Sequence, residues 1–207
     1  MEATMHLEEA VTYKRASKFA MIIFLASEFM LFAALFATYI ISRRGGALWL
    51  DAESAKVLTE LIPKIIFNSF VLIGSSFTYH FAENAVLKGK SPVPWLFVTL
   101  CMGAYFLIGQ VFEWSHLKHE GFWFNSPNLF CTNFFTTTGF HGFHVFVGLL
   151  LIIYVMIKGL LGHYTKETHI SLQNIGYYWH FVDAIWIVVF SLFYGEHFIT
   201  WIKHLTA

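Results

Sequence analysis

The chain has 207 residues, with 13 Lys and Arg against 13 Asp and Glu, a 57% hydrophobic content and 24 Phe. Charged residues make up only 13%, about half the share of soluble domains, so a water-exposed fold would lack polar surface, and a disordered chain is excluded on the same ground. The balanced charge argues against a nucleic-acid partner; what remains is an integral membrane protein of one domain.

Residues 1–18 are polar and read as a short terminal helix or tail. Five apolar runs follow, at 19–41, 65–87, 93–115, 133–157 and 174–196. Each has the roughly 20 residues needed to cross a hydrocarbon core of about 30 Å. They are too long and continuous for the strands of a membrane barrel. The expected fold is therefore all-α, an integral membrane bundle of five transmembrane helices over 19–198, with a C-terminal tail at 199–207. The first run is too long for a signal-peptide core, and no small-residue cleavage site follows it. The second is the most polar, with Asn68, Ser69, Ser75, Ser76, His80, Glu83 and Asn84. The longest connection is 43–63, while Lys-Gly-Lys-Ser-Pro at 88–92 reads as a tight turn. With the N-terminus inside, inner segments carry seven basic residues and outer ones six, too even for charge to set the orientation. Cys101 and Cys131 fall towards opposite membrane faces, so no disulfide is expected between them.

Ionisable groups inside a span are expensive and ask for a reason. Glu28 lies nine residues into the first run, roughly 14 Å deep, with no partner on its own helix. It reads either as a proton-relay or lipid-cleft carboxyl, or as an acid bonded to a neighbouring helix. His141 and His144 open the fourth run three residues apart, on one helical face. A haem or copper site would need His80 and His180 to complete the ligand set; helix–helix hydrogen bonding is the simpler reading. His180 and Asp183 are three apart in the fifth run and can pair, as glue between helices. Gln110 and Glu113 share a face near the interface, where Trp114 is an expected anchor.

Thr138-Gly-Phe-His-Gly-Phe-His144, followed by Tyr178-Trp-His-Phe-Val-Asp-Ala-Ile-Trp186, closely resembles the signature of the subunit III family of the haem–copper oxidases, cytochrome c oxidase among them. Ser27-Glu28-Phe29 is similar to the family's buried glutamate, and Gln110-x-x-Glu113 fits as well. The resemblance runs from Phe19 to about Gly195 and is to the five-span bacterial form. It implies a non-catalytic subunit with no catalytic residue, metal or redox cofactor of its own, since haem and copper belong to partner subunits I and II. It implies packing on subunit I, within a complex that also holds subunit II and other small subunits, and a larger respiratory assembly is a further candidate partner. Bound phospholipid is implied too, in a cleft whose missing wall a neighbouring chain or helix must supply. The family is thought to stabilise the catalytic core and assist proton uptake, and a role in guiding oxygen through lipid has been proposed. Residue by residue, Glu28 resembles the cleft carboxyl, and His141, His144, His180 and Asp183 resemble the contacts tying the bundle together. His80 lies near where family members place histidines. The implied location is the bacterial plasma (inner) membrane, with the N-terminus cytoplasmic and the C-terminus outside.

Glu28 and the Phe140-His-Gly-Phe-His144 form are more similar to the cytochrome c branch than to the quinol oxidases. The alternatives are a quinol-oxidase subunit III, a His-ligated membrane haem or copper protein, and a small transporter relaying protons through Glu28 and Asp183.

Overall fold

A computed structural model describes residues 2–45, 49–50, 52–124, 128–166 and 168–206. In chain order the helices are α1 (Glu2–Arg44), α2 (Ala52–Leu87), α3 (Val93–His119), α4 (Leu129–Leu160), α5 (Ile170–Phe193) and α6 (Gly195–Thr206). The first five are long and apolar enough to cross a membrane. Helix is the state such sequences must adopt in lipid, because only intrahelical bonding satisfies every backbone group without water.

Three helices end in the same way. Gly89, Gly121 and Gly162 have φ of 71°, 86° and 72°, a conformation that glycine adopts without steric cost. Behind Gly89, the Lys90 amide returns to the Ala85 carbonyl at 2.8 Å and the Gly89 amide to Val86 at 2.9 Å. This pair of bonds caps the last carbonyls of a helix, and Pro92 then blocks its continuation. The turn expected at 88–92 is therefore built from the residues that suggested it.

The helices outrun the apolar segments at several ends. The polar residues from Glu2 onward belong to α1, and α2 begins at Ala52 and carries Pro63 inside it. A proline costs a backbone bond and usually bends a helix, but here the turns around it are held by packing: Leu58, Leu61 and Ile62 are buried beneath α6. The chain breaks at Tyr194 and turns into α6, where a tail was expected.

α5 is the central element and packs on α1, α2, α4 and α6, while α3 closes the far side against α2 and α4. α1 packs on α4 and α5, and its last turn also reaches α6 through Arg43 and Glu196. Within its span only Phe32 and Tyr39 are buried side chains, and Phe19, Ile22, Phe29, Met30 and Ile41 are exposed. One polar tie holds each end of α1. Asn174 Nδ2 donates to Ser17 Oγ at 2.8 Å, and Tyr39 donates to the Leu192 carbonyl at 2.5 Å, beside an Arg43–Glu196 ion pair.

α6 docks on α2 through His197, which is buried and lies 3.4 Å from Thr59 Oγ1. Burial is the main reason its pKa falls below the ordinary 6.5; Arg43 pushes the same way, against Glu196 and a hydrogen bond to the Ala55 backbone. A histidine held neutral in the docked state contributes its stability fully above the undocked pKa and loses it as pH falls towards the docked one. Amide-exchange protection of α6 should therefore weaken as pH drops below about 6.5, and His197→Leu should abolish that dependence. Protection that stays flat with pH in the unmodified chain would contradict this.

Candidate functional site

The polar residues at membrane depth form contacts between helices. The most regular set joins α5 to α2. Trp179 and Trp186 lie seven apart and fully buried on α5, and their indole N–H groups donate to Ser75 and Ser69 of antiparallel α2, both at 2.9 Å. In lipid an unpaired polar group is costly and helices associate through packing and such bonds, so the serines that made the second apolar run look weak are the acceptors that α5 requires. Close approach is permitted by glycine. A Cβ at Gly148 of α4 would lie 2.7 Å from the Trp179 ring, and one at Gly103 of α3 would lie 2.8 Å from it.

His180 and Asp183 do not pair directly. Ser76 of α2 stands between them: the His180 Nδ1 lies 3.0 Å from Ser76 Oγ, and the serine hydroxyl donates to Asp183 Oδ2. A serine has one proton, so the imidazole N–H donates to it and the serine passes its own to the carboxyl. The i, i+3 spacing on α5 points both side chains at the same neighbour, and α2 supplies a hydroxyl short enough to fit between.

Glu28 finds its partner on α4. His144 Nε2 lies 2.9 Å from Glu28 Oε2, while its Nδ1 lies 2.7 Å from the Phe140 carbonyl. The Nδ1–H is therefore the donor to the backbone, and one proton must lie between Nε2 and the carboxyl. Phe32 packs edge-on against the imidazole at 5.0 Å, and Tyr178 donates to the His144 carbonyl at 3.0 Å. The carboxyl is one-fifth exposed, on the flank where α1 stands apart from α2 and α3.

His141 points elsewhere, although it shares a helix face with His144. It is buried and stacked on Trp186 at 4.9 Å, with Phe106 edge-on, and neither ring nitrogen meets a partner among the described residues. His80 is exposed, with its Nδ1 3.7 Å from Glu83 Oε2. The four histidines thus sit in separate surroundings. No group of three or more His, Cys, Asp or Glu side chains able to hold a metal occurs among the described residues. Cys131 is buried and Cys101 is exposed, and no disulfide joins them.

Gln110 and Glu113 form the third contact. Gln110 Nε2 donates to Glu113 Oε2 at 3.2 Å, and Tyr194 donates to Glu113 Oε1 at 2.5 Å. This pair is buried inside the bundle. Tyr194 is the residue that sequence reasoning missed, and its only signal was its place beside Gly195 at the end of an apolar run.

A family model described as cytochrome c oxidase subunit III matches residues 1–197. Among curated proteins, cytochrome c oxidase subunit 3 of Thermostichus vulcanus is 40% identical over 177 residues, covering 84% of each chain. The Synechocystis sp. protein of the same name is 38% identical over 179 residues, 85% of this chain and 74% of that one. A probable cytochrome c oxidase subunit 3 of Nocardia farcinica is 38% identical over 84% of both chains.

Proposed function

The chain belongs to the cytochrome c oxidase subunit III family, and from that premise we propose that it is the non-catalytic subunit III of a proton-pumping terminal oxidase that takes electrons from cytochrome c. It supports oxygen reduction without a redox centre of its own. Haem and copper reside in subunits I and II, and this chain packs on subunit I in the bacterial plasma membrane, with its N-terminus on the cytoplasmic side. Its work is to stabilise the catalytic core, hold phospholipid and assist proton uptake. Glu28 and His144 share a proton at mid-membrane on the open flank of α1 and are the pair suited to the last two roles.

The observation that carries this reading is what the motif histidines do. His144 is bonded at both ring nitrogens, to Phe140 and Glu28, and His180 is bonded to Ser76. They join helices and do not converge. The test is a reduced-minus-oxidised spectrum of the chain alone and of the complex that purifies with it. Haem bands are expected only in the complex, a-type if the donor is cytochrome c. Glu28→Ala should leave those bands unchanged and shorten the working lifetime during turnover. Bands on the isolated chain, or haem lost in that variant, would overturn the accessory role.

A further inference from the structure

Two connections meet at one membrane face. The α2–α3 turn and the α4–α5 loop enclose a pocket of about 200 Å³ between Gly89, Lys90, Ser91, Gly159, Tyr164 and Lys166. Its floor is bare because two of these residues have no side chain. Lys166 Cε lies 4.0 Å from where a Gly89 Cβ would be, and a Cβ at Gly159 would press to 3.0 Å from Val93 Cγ2. Lys90 and Lys166 are exposed, and no carboxylate pairs with either among the described residues. Lys158 adds a third positive charge nearby, lying over the rings of Tyr154 and Tyr164 at 5.4 and 6.0 Å.

The depth of this pocket is set by its neighbours. It lies just past Leu87, the last residue of α2, with Trp95 in the first turn of α3 and Tyr154 in the last turns of α4. Tryptophan and tyrosine favour the headgroup level of a bilayer. At the helix ends that flank the pocket, Leu87, Trp95 and Leu160 are exposed apolar side chains. A bound molecule is thus offered lysines and hydroxyls at one end and lipid-facing carbon at the other. Basic pockets between helices at a membrane surface recognise phosphate headgroups in this way.

We propose that this pocket binds the phosphodiester headgroup of an anionic phospholipid, clamped between Lys90 and Lys166. The site is separate from the Glu28–His144 contact at mid-membrane and does not rest on the oxidase reading. A free phosphate would use the same lysines but would leave the adjoining apolar surface uncovered.

The test uses the full chain in its intact membrane complex, reconstituted in nanodiscs of phosphatidylcholine with or without phosphatidylglycerol. Hydrogen exchange at 88–92 and 161–166 is followed, together with the lipids retained in native mass spectra. Phosphatidylglycerol should protect both segments and be retained in preference to phosphatidylcholine. A basic residue near a lipid surface contributes about 1 kcal/mol, or about fivefold. K90Q/K166Q should therefore reduce retention about 25-fold, while K90R/K166R, which keeps the charge, and K118Q, on the opposite face, should not. Equal retention of the two lipids, or undiminished retention by K90Q/K166Q, would overturn the proposal. Protection by inorganic phosphate alone would assign the pocket to a free anion and overturn the lipid as its occupant.

Discussion

Trp179→Ala should be the most damaging single change in the bundle, at about 3–5 kcal/mol. The Trp179 indole is fully buried, slotted between Gly103 of α3 and Gly148 of α4, and bonded to Ser75 of α2 at 2.9 Å. One ring thus contacts three helices besides its own. Helices in lipid are held by packing and hydrogen bonds and not by exclusion of water, so the lost contacts are not compensated and the cavity stays open. The Ser75 hydroxyl also loses its indole partner. Trp179→Phe keeps most of the ring and should cost far less, about 1–2 kcal/mol. Thermal unfolding in mild detergent separates the two variants. If Trp179→Ala melts with the unmodified chain, the ring is not the wedge described above.

Glu113→Leu should follow, at about 2–6 kcal/mol, because it strands two buried donors at about 1–3 kcal/mol each. The Tyr194 hydroxyl and the Gln110 amide both donate to the Glu113 carboxyl, at 2.5 and 3.2 Å. Tyr194 and Glu113 are both buried, so neither group has water as a substitute partner. Glu113→Gln retains an acceptor for Tyr194 and should lose only about 1 kcal/mol. The double variant Glu113→Leu/Tyr194→Phe should recover part of the loss, since it removes donor and acceptor together. Because Tyr194 is the break between α5 and α6, the weakening should appear as faster amide exchange on both sides of it. A Leu variant as stable as the Gln variant would show that the carboxyl carries no such load.

Some of this was written in the sequence and some was not. In the folded chain His144 meets Glu28 of α1, and Ser76 of α2 lies between His180 and Asp183. Spacing alone says which side chains share a face of one helix, and His141 shows its limit. It shares a face with His144, yet it stacks on Trp186 while His144 meets Glu28. Only the angle at which α1 and α5 flank α4 separates their fates. The close glycines were equally hidden. Gly139 and Gly142 lie beside the motif histidines, but an added Cβ would come closest to its neighbours at Gly176, Gly103, Gly109 and Gly148. A glycine in an apolar run carries no mark of what will press against it.

Helix ends divide in the same way. The five membrane spans follow from one-dimensional chemistry, because a bilayer demands unbroken apolar length and helical bonding, and the family follows from short contiguous motifs. The polar turns of α1, the start of α2 through Pro63, and α6 have no such demand placed on them; the start of α2 is covered where it meets α6, with Leu58, Leu61 and Ile62 buried. Glu28 and His144, 116 residues apart, are neighbours only after four helices have packed. Hydrocarbon thickness acts on each segment separately and is legible along the chain. Partner choice between segments is a property of their packing, and the tertiary structure alone decided it.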